Sequence, residues 1–286
     1  MKKISNSKKN NLFKKIFIKI CRKFGFELID QSNLSTPTLK KNINQSLSAL
    51  GEKNISIPLG EIKISRPVQS LDIIIKTCTS VNLVTQNKKR IFEKTKSEYT
   101  FRTIKSILTS LHFDSEIKNK TQIKIYILDH KSSNEDLVKI KNILNSFNAN
   151  YEIVNLDIDK FKKIKTISKD NPEIENNMKA TMASILSSFY IAKEKCVDLI
   201  YFVEDDYIHK KESLPEMLKT YEKISSIYET DFFLCPVDYP YLYKKTDNTN
   251  IVLGDKYHWR VVNESLLTFM TSKKFIIKYW DNLIEM

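Results

Sequence analysis

Glycine is scarce in this 286-residue chain, occurring only at Gly25, Gly51, Gly60 and Gly254. A dinucleotide-binding fingerprint needs three closely spaced glycines, and a P-loop needs one just before a Lys-Ser/Thr pair. Both are excluded. The four cysteines, Cys21, Cys78, Cys196 and Cys235, form no CxxC pair. A zinc ribbon or redox pair is therefore not expected, and they read as reduced, mostly buried thiols. The four histidines form no HExxH. No apolar stretch approaches the roughly 18 uncharged residues of a transmembrane helix. What is present is 41% hydrophobic and 10% aromatic residues. That is enough for a sizeable core in one large or two small domains.

The net charge of +13 is unevenly placed. Nine of the 47 basic side chains fall in residues 1–26, before the first acid at Glu27, and the remainder nearly balances the 34 acids. A basic tail on a near-neutral body points to an anionic surface met by the tail, and nucleic acid is not expected as a partner. Within it, residues 12–24 (LFKKIFIKICRKF) are amphipathic. Leu12, Phe13, Ile16, Phe17, Ile20 and Phe24 share one side of a helix, with Lys14, Lys15, Lys19, Arg22 and Lys23 opposite or at its borders. Lysines interrupt the apolar stretch and no small-residue cleavage site follows, so it is not a signal peptide. Two readings stay open. One is an interfacial helix on an anionic membrane, where each basic residue contributes about 1 kcal/mol; the other is a helix docked on its own domain. Residues 30–66 are rich in Ser, Asn, Thr, Pro and Lys and read as a linker. The expected division is a basic helix plus arm over 1–66 and a folded domain over 67–286.

From residue 71 strands and helices alternate. Leu71–Thr77, Ile123–Leu128, Tyr151–Leu156 and Leu199–Val203 read as strands, with helices over 97–111 and 176–195 and one capped by Asn134. Ser213 and Glu216 form a capping-box signature for a further helix. Phe232–Val237 and Leu266–Met270 read as more strands, and Ser272 opens a last helix. Such alternation predicts an α/β fold with a mostly parallel sheet flanked by helices, and ligands then bind at the carboxyl ends of the strands. The fourth strand ends there in three carboxylates, Glu204, Asp205 and Asp206. They suit Mg²⁺ or Mn²⁺, which bind hard oxygen ligands and share them with phosphates. A solvated turn is the plainer reading.

IIIKTCT at 73–79, ILDHKSSNE at 127–135 and FVEDDYI at 202–208 occur in an order that resembles the GT-A glycosyltransferases. More narrowly, VEDDYIH at 203–209, DYPYLY at 238–243, and HWR at 258–260 followed by Thr268-Phe269 are similar to a group of bacterial glycosyltransferase-like proteins. The resemblance spans about residues 70–275. It departs where Lys76 replaces a proline, and where His130 and Lys131 occupy a turn that carries glycine in the family.

The resemblance implies a GT-A-like fold and sugar transfer from a nucleotide-sugar donor. Thr77 and Asp129 would flank the nucleobase and ribose, with Glu204 or Asp205 near the ribose. Asp206 would hold Mn²⁺ or Mg²⁺, offsetting the charge of the departing diphosphate. His258 is a further ligand or diphosphate contact, and Arg260 a phosphate donor. Arg102 is either near the same pocket or an ordinary surface arginine. Asp238 and Glu264 are the candidates for the catalytic base that an inverting reaction needs; a retaining one needs neither. The acceptor would be a glycan or lipid-linked molecule, met at the cytoplasmic face of a membrane. Two rivals are a nucleotidyltransferase, disfavoured by the missing glycine-rich loop, and a non-catalytic membrane- or nucleic-acid-binding module acting through residues 1–26.

Overall fold

The computed structural model describes residues 12–26, 62–80, 94–161, 164, 172–237, 249–262 and 266–285. It forms two compact units, residues 1–42 and 43–286. In the first, α1 (Leu12–Lys23) is the expected helix, with Ile16, Phe17 and Ile20 exposed along it. Among the described residues, no helix is long and apolar enough to cross a membrane.

The second unit is α/β. Its sheet has the order β3-β2-β1-β4-β7. β1 (Ser70–Thr77), β2 (Gln122–Asp129), β3 (Tyr151–Asn155) and β4 (Leu199–Glu204) are parallel, and β7 (Phe269–Ser272) runs antiparallel to β4 at one edge. The run of isoleucines in β1 follows from this placement, because a central parallel strand is covered on both faces. Ile73 and Ile75 lie under α2 (Lys96–Phe113), α4 (Asn134–Ser146) and α6 (Ser213–Tyr228). Ile74 lies under α5 (Pro172–Lys195) and α7 (Lys273–Lys278). All three are fully buried, each contributing about 1.5–3 kcal/mol. The short α3 (Ser115–Lys120) precedes β2, α8 (Trp280–Ile284) ends the described chain, and β5 (Ile251–Leu253) pairs with β6 (His258–Arg260) in a separate hairpin.

Three local expectations change. The cap of α4 is Ser133, whose Oγ accepts from the Asp136 N–H at 3.1 Å, one residue before the expected Asn134. Ser213 makes no capping box: Glu212 is the N-cap of α6, without a side-chain bond, and Glu216 is committed elsewhere. Phe232–Val237 is not a strand. Only Leu234 bridges to Met270, while Phe232 stacks on Tyr221 at 4.6 Å and Phe233 meets Phe269 and Phe275 at 5.7 Å. Its apolar character serves ring packing and not a ladder. Ser272 caps α7 as expected, accepting from the Phe275 N–H.

Candidate functional site at the carboxyl edge of the sheet

β2 and β3 lie on one side of β1 and β4 on the other, so the strand order reverses between β1 and β4. That is the switch point where an open α/β sheet leaves a crevice. Register puts Thr77 beside Asp129 and Lys76 beside Glu204 there. Side chains alternate along a strand, so Thr77 and Asp129 turn toward α2, whereas Lys76 and Glu204 turn toward α5. The Thr77 hydroxyl donates to Asp129 Oδ1 at 2.7 Å, and the Ser132 N–H donates to Oδ2 at 3.1 Å. Both Thr77 and Asp129 are buried. The turns after β1 and β2 are tied together as well. Thr79 N–H donates to Ser132 Oγ at 3.0 Å, and Ser133 N–H to Thr79 Oγ1 at 3.3 Å. Lys131 holds the glycine-like conformation of the second turn, at φ 56°, which costs a non-glycine residue about 1–2 kcal/mol.

The three carboxylates of the β4 end do not share one environment. Glu204 lies 3.6 Å from the Lys76 ammonium. Burial lowers the Lys76 pKa, outweighing the opposing pull of Glu204, Asp205 and Asp206. Asp205 is buried on the α2 side. The Lys96 ammonium binds its Oδ1, and the Thr100 hydroxyl donates to Oδ2 at 2.7 Å. Asp206 is 46% exposed and lies 3.8 Å from Lys96. The end of β4 is held by Thr268, whose hydroxyl accepts from the Glu204 N–H at 3.4 Å. Phe269 packs beside it on Phe202 at 4.9 Å.

The hairpin of β5 and β6 is organised by Glu216 on α6. Its carboxylate accepts from the N–H groups of Asp255, Lys256 and Tyr257, from the Thr220 hydroxyl and from the Trp259 indole, at 2.8–3.2 Å. Burial pushes this carboxyl pKa up, but the Trp259, Lys256, Thr220 and Tyr257 donors outweigh it and hold it below the ordinary range. Gly254 is needed here, because a Cβ would fall 2.5 Å from Glu216 Oε1, Thr220 Oγ1 and Trp259 Nε1. His258 and Arg260 are carried on β6, the first exposed and the second half-buried.

The structure thus brings together Thr77, Asp129, Glu204, Asp205 and Asp206, and adds Lys76, Lys96 and Thr100. Arg102 is committed to a surface pair with Glu98 at 2.8 Å. Asp238 and Glu264 lie outside the described residues. The donor set at the β4 end does not fit a bound divalent ion as it stands. Glu204 and Asp205 diverge to opposite faces and each is ion-paired to a lysine. Among the described residues, no three His, Cys, Asp or Glu side chains converge on a point.

No family model and no curated sequence matches this chain. Solved structures do match in part. Galactosyltransferase LgtC, in complex with donor and acceptor sugar analogues, is 11% identical with a TM-score of 0.38, over 75% of this chain and 64% of that one. Glucosyl-3-phosphoglycerate synthase from Mycobacterium tuberculosis, in complex with Mn²⁺, UDP and glucosyl-3-phosphoglycerate, is 12% identical with a TM-score of 0.25, over 52% and 38%. The chain spans less than two thirds of the length of either. Likenesses this loose carry no argument about function, which rests on the residues.

Proposed function

We propose that the chain is a glycosyltransferase of GT-A type, taking its sugar from a nucleotide-sugar donor at the carboxyl edge of the sheet. The observation that carries this is the placement of Thr77–Asp129 and of the Lys76–Glu204 and Lys96–Asp205 pairs at one strand end, the β1/β4 switch point. In this reading Asp129, fixed by Thr77 and Ser132, orients the nucleobase, and Glu204 or Asp205 borders the ribose. The departing diphosphate gains negative charge as the sugar–phosphate bond breaks, and fixed positive groups lower that barrier. Lys96, the first turn of α2 and Arg260 are the groups proposed for this role. An inverting reaction further needs Asp238 or Glu264 to take the proton of the acceptor hydroxyl. The resemblance implies a divalent ion at Asp206, which the described donor set does not fit, and no step is assigned to one.

The acceptor in this proposal is a glycan or lipid-linked molecule, and α1 holds the enzyme at the anionic inner face of a membrane. The exposed Ile16, Phe17 and Ile20 beside Lys19 and Lys23 support that placement. They equally favour the second reading, a membrane-binding module without catalysis.

One thermal-shift panel separates the two: UDP, GDP, CDP, TDP and ADP, each with Mn²⁺ and with EDTA. Binding at about 100 times Kd stabilises by about 2.7 kcal/mol. At about 2–4 °C per kcal/mol, the preferred nucleotide raises Tm by about 5–10 °C. A flat response to every diphosphate in both buffers removes the glycosyltransferase reading. Binding to phosphatidylserine vesicles that disappears on deletion of residues 1–26 would then leave the membrane module standing.

A further inference from the structure

We propose that the acidic end of β4 takes no divalent cation, because Lys96 is the resident cation there, with Lys76 neutralising the neighbouring carboxylate. Glu204, Asp205 and Asp206 are consecutive, and consecutive positions at a strand end cannot all face one point. Glu204 turns toward α5 and Asp205 toward α2. Each meets a lysine on its own side.

These pairs are built into the backbone. Lys76 is the register partner of Glu204 across β1 and β4, so the two side chains are neighbours whichever rotamers they take. Lys96 opens α2, which is anchored in the core by the fully buried Ile104 and Ile107. Its ammonium is bound to Asp205 and stands 3.8 Å from Asp206, with only 14% of the side chain exposed. Thr100, one turn further on, takes the second Asp205 oxygen. Among the described residues Asp206 is the remaining carboxylate, and a cation placed on it would sit against the Lys96 charge with a single side-chain ligand from that set. Mg²⁺ and Mn²⁺ sites need more oxygen than that, and like charges at such separations repel strongly.

An ammonium carries three donors. Among the described residues Lys96 uses one on Asp205, and 3.8 Å to Asp206 is too long for a hydrogen bond. Donors therefore remain for a phosphate oxygen of a nucleoside diphosphate. This second half rests on the glycosyltransferase reading above; the exclusion of the cation does not.

The test has two arms on the full chain. In the first, Mn²⁺ alone is titrated and followed by its electron paramagnetic resonance signal. Wild type shows no site tighter than about 1 mM, and Lys96→Met gains one that Asp206→Asn abolishes. A stoichiometric micromolar site in wild type, lost in Asp206→Asn, overturns the proposal. In the second, the diphosphate that shifts Tm most is titrated in EDTA and in Mn²⁺. Its Kd agrees in the two buffers within about twofold, and Lys96→Met weakens it at least about tenfold in EDTA. Binding that requires Mn²⁺ overturns the proposal while sparing the function. Binding in neither buffer refutes the function and the phosphate role of Lys96 together, and leaves the first arm to decide the cation. Should Lys96→Met melt early, Lys96→Gln removes the charge and keeps a donor to Asp205, and the wild-type titrations need no variant.

Discussion

The two ends of the parallel sheet both carry buried charge, and they use it differently. At the amino edge Arg66 grips Asp198 with two parallel bonds of 2.6 and 3.0 Å and reaches Asp231 with its third nitrogen at 3.2 Å. Asp198 also accepts from the Gln69 N–H, the Tyr221 hydroxyl donates to Asp231, and Glu222 accepts from the Val68 N–H at 2.7 Å. These contacts stitch the segment entering β1 to the loop before β4 and to α6. At the carboxyl edge the cations are lysines, and Asp206 is left half in solvent. A guanidinium fork closes a pair in fixed geometry, whereas an ammonium is a point charge that can exchange partners. The first arrangement suits a fastening and the second a binding site.

Breaking the fastening gives the largest effect. Asp198→Ala leaves the Arg66 guanidinium and the Gln69 N–H without their main acceptor. The pair is only partly buried, so the cost is discounted from that of a fully buried pair to about 2–3 kcal/mol, a fall of about 4–12 °C in Tm. Calorimetry checks the loss. Diphosphate affinity measured well below the new Tm stays unchanged; a parallel loss of affinity would mean that the two ends are coupled and the contrast between them false.

His209 lies between the ends, in the segment joining the acidic turn to α6. Its Nε2 is 2.7 Å from the Tyr201 hydroxyl, and its N–H donates to Ser106 Oγ. Burial, partly opposed by the Tyr207 carbonyl, pushes its pKa down to about 4. An unfolded histidine titrates near 6.5. Above that pH both states are neutral and stability is unaffected. As pH falls from 6.5 toward 4 the unfolded state gains the proton first, so stability drops. Below 4 the loss is complete. On the order of 2 kcal/mol should disappear across that window, read as a lower urea midpoint at pH 5 than at pH 7. His209→Gln, which retains a partner for Tyr201, flattens most of the slope, and the half-buried His130, with its pKa also lowered by burial, supplies part of the remainder.

What could be read in advance followed from local chemistry. The β-branched run at Leu71–Thr77 announces a strand covered on both faces and the apolar run at Leu199–Val203 another strand, and they are β1 and β4 to within a residue or so. The place of the site was legible too, because three acids after an apolar strand mark its carboxyl end. Their partners were not. Lys96 reaches Asp205 across 109 positions, and nothing in the spacing of either residue announces the other. Three acids in a row suggested one shared ligand, where strand alternation sends two of them to opposite faces. Glu216 misled for a related reason: it sits three residues after Ser213, as a capping box requires, yet its donors lie around residue 256, far along the chain. Lys76 was the one available signal. Its register opposite the end of β4 places a cation beside Glu204.

The smallest expected effect sharpens the contrast most. Thr77→Val keeps the shape of the side chain and removes the 2.7 Å bond to Asp129 Oδ1, leaving the Ser132 N–H on the other oxygen. One such bond contributes about 1 kcal/mol, so Tm should fall by only about 2–4 °C. If Asp129 orients a nucleobase, the same loss of about 1 kcal/mol appears in binding, a weakening of about fivefold for the preferred diphosphate. Calorimetric titration alongside the melt reads both. Affinity that falls in step with stability assigns the Thr77–Asp129 pair to the ligand. A melt that shifts while Kd holds would make the pair a fastening like Arg66–Asp198, and the open end of the sheet would then begin at the lysines.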